Sequence, residues 1–257
     1  LRPLTDEHQS CLSFSLTTVP HSEPRPYTDY YGNTVYHFDI PESHARLEIV
    51  ADADVMTQER DLAQALAADD SPRRPLSQAD RDRWLDFLSE TPLTAAGNAV
   101  RLFSRSIGEG QETWSGLARA IAERIHAALQ FRGGVTDVTT TADDALGHGV
   151  GVCQDFTHLF LAVSRLHELP ARYVSGYLST GAGAEEIQAS HAWAEVLLPR
   201  AGWIGFDAAN GRLADSRYVR IAIGRDYADV PPVRGAFSGS SGAGVDVAVF
   251  VVSDQQQ

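Results

Sequence analysis

The sequence contains only two cysteines, Cys11 and Cys153, among its 257 residues. Two cysteines cannot form the several disulfides that stabilise a small secreted domain. A single disulfide between them would leave Cys153 without a free thiol. We therefore expect both thiols to be free, as they are in a reducing compartment. The scarcity of cysteine predicts a cytoplasmic location.

Positive charge and long apolar runs are also scarce. Lysine and arginine number 21 against 34 aspartates and glutamates, which gives a formal net charge of −13 at pH 7. With no basic run to offset it, this charge argues against a general affinity for nucleic acid or for an anionic membrane. No apolar run reaches the roughly 18 residues of a membrane span. We therefore expect neither nucleic acid nor a membrane as a partner.

Common metal-binding motifs are missing as well. The sequence has no HExxH, no CxxC and no DxDxDG loop, the patterns typical of zinc and calcium sites. Zinc nevertheless uses thiolate, imidazole and carboxylate ligands, so a zinc site is the rival interpretation of any Cys-His-Asp set in this chain. The spacing of these residues argues against that interpretation. We expect no metal and no cofactor.

Apolar residues are plentiful and change their spacing along the chain. They make up 43% of the residues, enough for a buried core. In the first 57 residues they alternate with polar ones, as at Leu12, Phe14 and Leu16, which is typical of β-strands. From about residue 77 the spacing becomes helical. The sequence predicts a β-rich N-terminal region at residues 1–57 and a second unit at residues 58–257.

Strand-like runs return in the last third of the chain. ARYVSGYL, SHAWAEVLL, GWIGF, RYVRIAIG and VDVAVFVV are each rich in β-branched and aromatic residues, and they predict strands of one mainly antiparallel sheet. SGSSGAG at residues 238–244 is predicted to be a flexible loop. Strands, then helices, then strands indicate the α+β fold class.

Cys153 stands where a glycine-rich run meets a helical pattern, in GHGVGVCQDFTHLFLAV. The apolar residues after it have helical spacing and predict one face turned toward the core: Phe156, Leu159, Phe160, Val163 and Leu166. Unpaired N–H groups at a helix start stabilise an anion, so this position favours the nucleophilic thiolate. The same groups, first the N–H of Cys153, are candidates for holding the oxyanion of a tetrahedral intermediate.

Two further candidates follow on adjacent strand-like runs. His191 opens SHAWAEVLL, and Asp207 closes GWIGFD after a short turn containing Pro199 and Gly202. Strands joined by so short a turn are expected to be antiparallel neighbours, which would bring Asp207 beside His191. The carboxylate could then hold the imidazole tautomer and stabilise an imidazolium.

These blocks resemble the transglutaminase-like superfamily, whose bacterial members carry GVCQDF, ARYVSGY, SHAWAEV and GWIGFDxxNG in this order. The resemblance implies a papain-like core, with the cysteine at the start of a helix packed on a mainly antiparallel sheet, preceded by a β-rich region. It also implies that Cys153 is the nucleophile, His191 the general base and then acid, and Asp207 the orienting carboxylate. Family members often read DPTN where this chain has Asp-Ala-Ala-Asn, so the missing proline puts the rigidity of this loop in question.

The chemistry implied is acyl transfer from the amide bond of a peptide or protein through a thioester. If water accepts the acyl group, the enzyme is a cysteine peptidase or amidase, which the family analogy favours. If a lysine or another amine accepts it, the enzyme is a protein-glutamine transglutaminase. A binding or scaffold protein without turnover is the alternative of another class.

Other polar residues lie close to these motifs. His148 and His158 flank the cysteine, but the strand partner favours His191 as the base. Asp155, in the first turn of the predicted helix, is expected to cap N–H groups there. Arg172 is a candidate ion-pair partner for Asp155. Trp193 could line the site, although aromatic strand residues are more often part of the core.

Overall fold

The computed structural model describes residues 2–179, 187–188, 190–236 and 247–251. The N-terminal part consists of two antiparallel ribbons, in which the first strand pairs with the fourth and the second with the third. Its strands are β1 (Gln9–Val19), β2 (Arg25–Thr28), β3 (Thr34–His37) and β4 (Glu48–Thr57). The predicted β-rich start of the chain is therefore confirmed.

Helices dominate the middle of the chain, as the change of spacing predicted. Each of the two longest begins after a residue in extended conformation, and a hydroxyl from Thr113 caps the longer one. The elements are α1 (Leu62–Ala68), α2 (Gln78–Arg83), α3 (Leu85–Leu88), α4 (Asn98–Arg105), α5 (Trp114–Ala128), β5 (Gln130–Phe131), α6 (Ala142–His148) and β6 (Val150–Gly151).

The last part holds the central sheet and the helix packed on it. Its elements are α7 (Cys153–Leu166), β7 (Ala171–Leu178), β8 (Ile187–Gln188), β9 (His191–Leu198), β10 (Gly202–Asp207), β11 (Arg212–Leu213), β12 (Tyr218–Gly224), a short 3-10 helix (Tyr227–Asp229) and β13 (Val249–Phe250). Five of these strands form one antiparallel sheet in the order β11-β10-β9-β7-β12. The predicted α+β class is confirmed.

Helix α7 is buried more completely than its apolar stripe predicted. The stripe residues Phe156, Leu159, Phe160 and Val163 are at most 1% exposed and share a core with alanines of β9. Every residue from Gln154 to Arg165 is buried, including polar ones. A run of buried residues this long covers all sides of a helix, so α7 is the central element of the core rather than a half-exposed one.

The N-terminal region is tied to the outer edge of β12 by two buried side-chain amides. Gln9 donates to the carbonyl of Arg220 and accepts its N–H, at 2.8 and 2.7 Å. Asn33 does the same for Ile223, at 2.8 Å each way. Each amide mimics a neighbouring strand and satisfies one donor and one acceptor of an edge that would otherwise be open.

This covered edge corrects one strand prediction. VDVAVFVV was expected to join the main sheet, but within its described residues only β13 is a strand, and β13 pairs with β8. The edge of β12 that it could have used is occupied by Gln9, Asn33 and the N–H of Leu4. The predicted loop at 238–244 lies outside the described residues, and the division of the chain at residue 57 stays a prediction.

No helix in the described parts of the chain is long and apolar enough to cross a membrane. The longest, α5, has 15 residues and includes two arginines and a glutamate.

We predict that Asn33→Ala destabilises the protein by about 2 kcal/mol or more, because the N–H and carbonyl of Ile223 would lose their partner in a poorly hydrated interface. Urea unfolding measures this loss as a lower midpoint concentration of urea, with the slope of the free energy of unfolding against urea concentration unchanged. Asn98→Ala, at an exposed position in α4, is the control and should change stability by less than about 0.5 kcal/mol. Equal effects of the two substitutions would contradict the strand-mimic role.

Candidate active site

The glycines before Cys153 shape the entry into α7. Gly149 ends α6 in the left-handed conformation, with φ of 67°. Gly151 faces Asp155 so closely that a Cβ at Gly151 would lie 2.7 Å from the Asp155 Cβ. Cys153 follows as the first residue of α7 and is partly exposed, whereas the next twelve residues are buried. The thiol is therefore presented at the accessible N-terminal end of a helix that is otherwise buried as far as Arg165.

Asp155 holds the start of α7 in place. Its Oδ2 accepts hydrogen bonds from the N–H of Val152 at 2.8 Å and from the Thr136 hydroxyl at 2.7 Å. Burial raises the pKa of Asp155, and these two hydrogen bonds oppose the rise. The predicted capping role is confirmed, although Val152 has no side-chain acceptor and so supplies no cap in return.

The remaining N–H groups at the helix start point to an anion site. The first residues of a helix lack intrahelical acceptors, and no acceptor is found for the N–H groups of Cys153 and Gln154 among the residues that the structure describes. They lie at the positive end of the helix dipole of α7. An oxygen that develops negative charge beside the sulfur would find donors there.

His191 and Asp207 meet across the antiparallel pair β9 and β10. The Nε2 of His191 donates to Oδ2 of Asp207 at 2.7 Å. The other ring nitrogen, Nδ1, takes no part in this hydrogen bond. Cys153 lies close enough to the imidazole to act together with Asp207 in raising its pKa. The structure thus brings together all three residues singled out in the sequence, and their catalytic roles stay predictions.

The imidazole of His191 has a strongly shifted pKa. Burial acts to lower it, but the hydrogen bond with Asp207 and the interaction with Cys153 outweigh burial and raise the pKa from 6.5 to about 9. Because the shift is upward, the pair stabilises the fold fully below pH 6.5, and this contribution disappears as the pH rises through about 9. At neutral pH His191 is therefore an imidazolium.

Asp207 is surrounded by donors. It is 1% exposed, and its Oδ2 also accepts from the Asn210 side chain and the Tyr218 hydroxyl, both at 2.7 Å. Oδ1 accepts from the N–H of Asn210 at 3.0 Å. Burial would raise the pKa of Asp207, but the hydrogen bond from His191, followed by those from Asn210 and Tyr218, lowers it. The carboxylate is thus ionised at neutral pH.

Asn210 and Tyr218 are site residues that the sequence analysis did not find. Asn210 belongs to the motif GWIGFDxxNG, which by itself indicates no role for it, and Tyr218 is one residue of the predicted strand RYVRIAIG. Two backbone groups of the loop that lacks proline form hydrogen bonds. The N–H of Asn210 donates to Asp207, and the carbonyl of Ala208 lies 2.9 Å from Nδ1 of His126. These hydrogen bonds hold the loop without proline.

The two histidines that flank Cys153 in the sequence, His148 and His158, make no hydrogen bond to His191 or Asp207 among the described residues. His158 is fully buried on α7, where burial, followed by the charge of Arg165, lowers its pKa to about 3, and its Nε2 accepts the N–H of Tyr227. It is a neutral core residue. His148 is the exposed last residue of α6.

Trp193 is 1% exposed and stacks on His191 with ring centroids 6.3 Å apart, so it supports the imidazole from the core.

The prediction for Arg172 was wrong. Its Nε and Nη2 donate to Oε2 of Glu195 at 2.8 and 2.6 Å rather than to Asp155. Arg172 and Glu195 are directly opposite in the pairing of β7 with β9, so their side chains share one face of the sheet.

Across the described residues, no three His, Cys, Asp or Glu side chains cluster as metal ligands would.

Comparison with protein families gives two matches. Residues 101–208 match the family model described as the transglutaminase-like superfamily. Residues 1–56 match the bacterial transglutaminase-like N-terminal region. The first match contains all three residues of the candidate site.

Similar proteins come from several bacteria. An uncharacterized protein of Mycobacterium tuberculosis is 34% identical over 98% of this chain and 85% of its own length, and one of Mycobacterium leprae is 30% identical over 98% and 89%. A solved structure from Cytophaga hutchinsonii, described as "a Putative Cysteine Protease", is 28% identical with a TM-score of 0.72 and covers 90% of this chain and 76% of its own. The likeness extends over both parts of the chain.

We predict that Asp207→Asn lowers the pKa of His191 by roughly one unit or more, because it removes the negative charge that the imidazolium contacts. NMR titration of the His191 ring measures the change. Asp215→Asn is the matched control, since Asp215 pairs with Arg217 instead. If the pKa of His191 stayed near 9 in Asp207→Asn, Asp207 could not be what holds the proton on the ring.

Proposed function

The chain belongs to the transglutaminase-like superfamily, with the bacterial transglutaminase-like N-terminal region, and from this premise we propose that it transfers acyl groups from amide bonds through a thioester on Cys153. The observation that carries the proposal is the 2.7 Å contact of His191 with a buried, ionised Asp207. This contact keeps a proton on an imidazole that also interacts with the Cys153 thiol. A thiolate and an imidazolium side by side are the resting state of a cysteine nucleophile.

The reaction begins with the sulfur of Cys153. The thiolate forms a bond to the amide carbonyl carbon, and the carbonyl oxygen takes the negative charge and accepts the N–H of Cys153. His191 then gives its proton to the amide nitrogen as the carbon–nitrogen bond breaks, so an amine leaves and a thioester remains. In the second half, His191 takes a proton from the acceptor, which attacks the thioester and releases the thiolate.

We propose water as the favoured acceptor, which makes the protein a cysteine peptidase or amidase. Support comes from the description of the Cytophaga hutchinsonii protein, which is 28% identical to this chain over 90% of its length. An amine acceptor would make it a transglutaminase by the same first half-reaction. We also propose a cytoplasmic location, because Cys11 and Cys153 are both free thiols.

The thiolate is tested by alkylation. We expect iodoacetamide to modify Cys153 at a rate that is already near its plateau at about pH 7, because the imidazolium stabilises the thiolate, whereas ordinary thiols ionise near pH 8.5. Mass mapping of peptides separates Cys153 from the buried Cys11, which serves as the internal reference. In His191→Ala the reactivity at pH 7 should be lost. A Cys153 that reacts no faster than Cys11 would exclude the mechanism.

The acceptor is tested with a mixed peptide and protein substrate pool. Without added amine, we expect new amino groups or ammonia to be released by the unaltered chain and by Cys11→Ala, but not by Cys153→Ala. Incorporation of a fluorescent amine into glutamine side chains, with little release in its absence, would instead identify a transglutaminase. If neither product forms, the protein is a scaffold, and activity that survives in Cys153→Ala would refute the assignment of the nucleophile.

A further inference from the structure

Tyr218 is hydrogen-bonded to the candidate triad through one buried oxygen, and its ring also lies beside the His191 ring, with centroids 6.0 Å apart. Its hydroxyl donates to Oδ2 of Asp207 at 2.7 Å, and the residue is only 4% exposed. Oδ2 is also the atom that accepts Nε2–H of His191 at 2.7 Å. With the Asn210 amide, three donors converge on this oxygen. They therefore share the charge of one carboxylate oxygen.

A second donor to this oxygen changes the strength of the interaction between Asp207 and the proton on His191. Each hydrogen bond to a carboxylate stabilises its ionised form and draws negative charge toward that donor. In a poorly hydrated site water does not restore the lost charge density, so the effect on the neighbouring donor is larger than at an exposed site. The positive end of the Tyr218 hydroxyl dipole thus weakens the attraction of Asp207 for the proton on His191.

We propose that Tyr218 is a positioning residue that acts on His191 through Asp207, lowering the proton affinity of the imidazole so that it can release its proton to a leaving amine. This role rests on the proposed function, in which His191 must act as an acid after acting as an ion-pair partner. Without Tyr218, the imidazolium would be held too tightly by its carboxylate.

The strand that carries Tyr218 is fixed from outside the core. Two residues further along β12, the backbone of Arg220 is held by the Gln9 amide, and its carbonyl also accepts the N–H of Leu4. The ring of Tyr218 packs edge-on against Trp193 at 5.2 Å. Both contacts survive loss of the hydroxyl, so Tyr218→Phe removes the hydrogen bond with little change in packing.

The charged groups with the largest effects on the pKa values of His191 and Tyr218 have one residue in common. Those that act on His191 are Asp207 on β10 and Cys153 on α7. Those that act on Tyr218 are Asp207, Arg212 on β11 and Asp215 in the following loop. Of the groups acting on both residues, only Asp207 contacts each of them by a hydrogen bond. The influence of the Tyr218 hydroxyl should therefore pass through Asp207, whereas the ring contact with His191 is kept in Tyr218→Phe.

The test is an NMR titration of the His191 ring in the unaltered chain, Tyr218→Phe, Asp207→Asn and the double variant. We expect Tyr218→Phe to raise the pKa of His191 by roughly half to one unit, and to have almost no further effect when Asp207 is already asparagine. Tyr36→Phe, which removes a hydroxyl from the N-terminal region where the ring packs on Phe14, is the control and should leave the pKa unchanged.

Each outcome decides the proposal. An unchanged or lowered pKa in Tyr218→Phe would overturn it, and so would a rise of equal size in the double variant, because the effect would then not pass through Asp207. The titration needs no substrate and no reactive thiol. A failure of Cys153 to alkylate at neutral pH would count against the proposed function, whereas the His191 shift alone decides the role of Tyr218.

Discussion

The packing of α7 against the central sheet is the contact on which the rest of the structure depends. Because every residue from Gln154 to Arg165 is buried, the helix cannot rotate or slide without opening the core, and burial of each large apolar side chain contributes about 1.5–3 kcal/mol. This fixes the position of the one residue at its start that remains partly exposed, Cys153. A rigid core thereby sets the geometry of a surface group.

Burial has two opposite effects on the His191–Asp207 pair: it strengthens the attraction between the two charges, and it removes their hydration. Removing a carboxylate from water is unfavourable, and Asp207 is 1% exposed. Its pKa is nevertheless lowered, because the hydrogen bond and charge of His191 and the hydrogen bonds from Asn210 and Tyr218 outweigh the loss of hydration. Removing either charged partner of such a buried pair would leave the other charge uncompensated, so the pair is stable only while both charges are present. The arrangement is therefore better suited to holding one protonation state than to adding stability to the fold.

Much of this could be predicted from the sequence because it depends on local pattern. Apolar spacing placed α7, and runs rich in β-branched and aromatic residues placed the strands with His191 and Asp207. What could not be predicted depends on contacts between distant segments. Nothing near Gln9 or Asn33 indicates that their amides cover the edge of β12, and the partner chosen by Arg172 depends on strand register, which neighbouring sequence does not specify. Tyr218 was missed for the same reason: it reaches Asp207 only once β12 is in place.

The covered edge of β12 gives the N-terminal region a part in the site itself. An edge strand held only on one side can shift or fray, and a shift of less than an ångström would break a hydrogen bond to a carboxylate oxygen. Gln9 and Asn33 hold β12 on the side opposite β7, so the hydroxyl of Tyr218 is constrained from both sides. The N-terminal ribbons thus do more than add surface to the core. Through one strand they fix a donor to Asp207, and a chain that began after residue 57 would keep Cys153, His191 and Asp207 while losing the contacts that hold this strand.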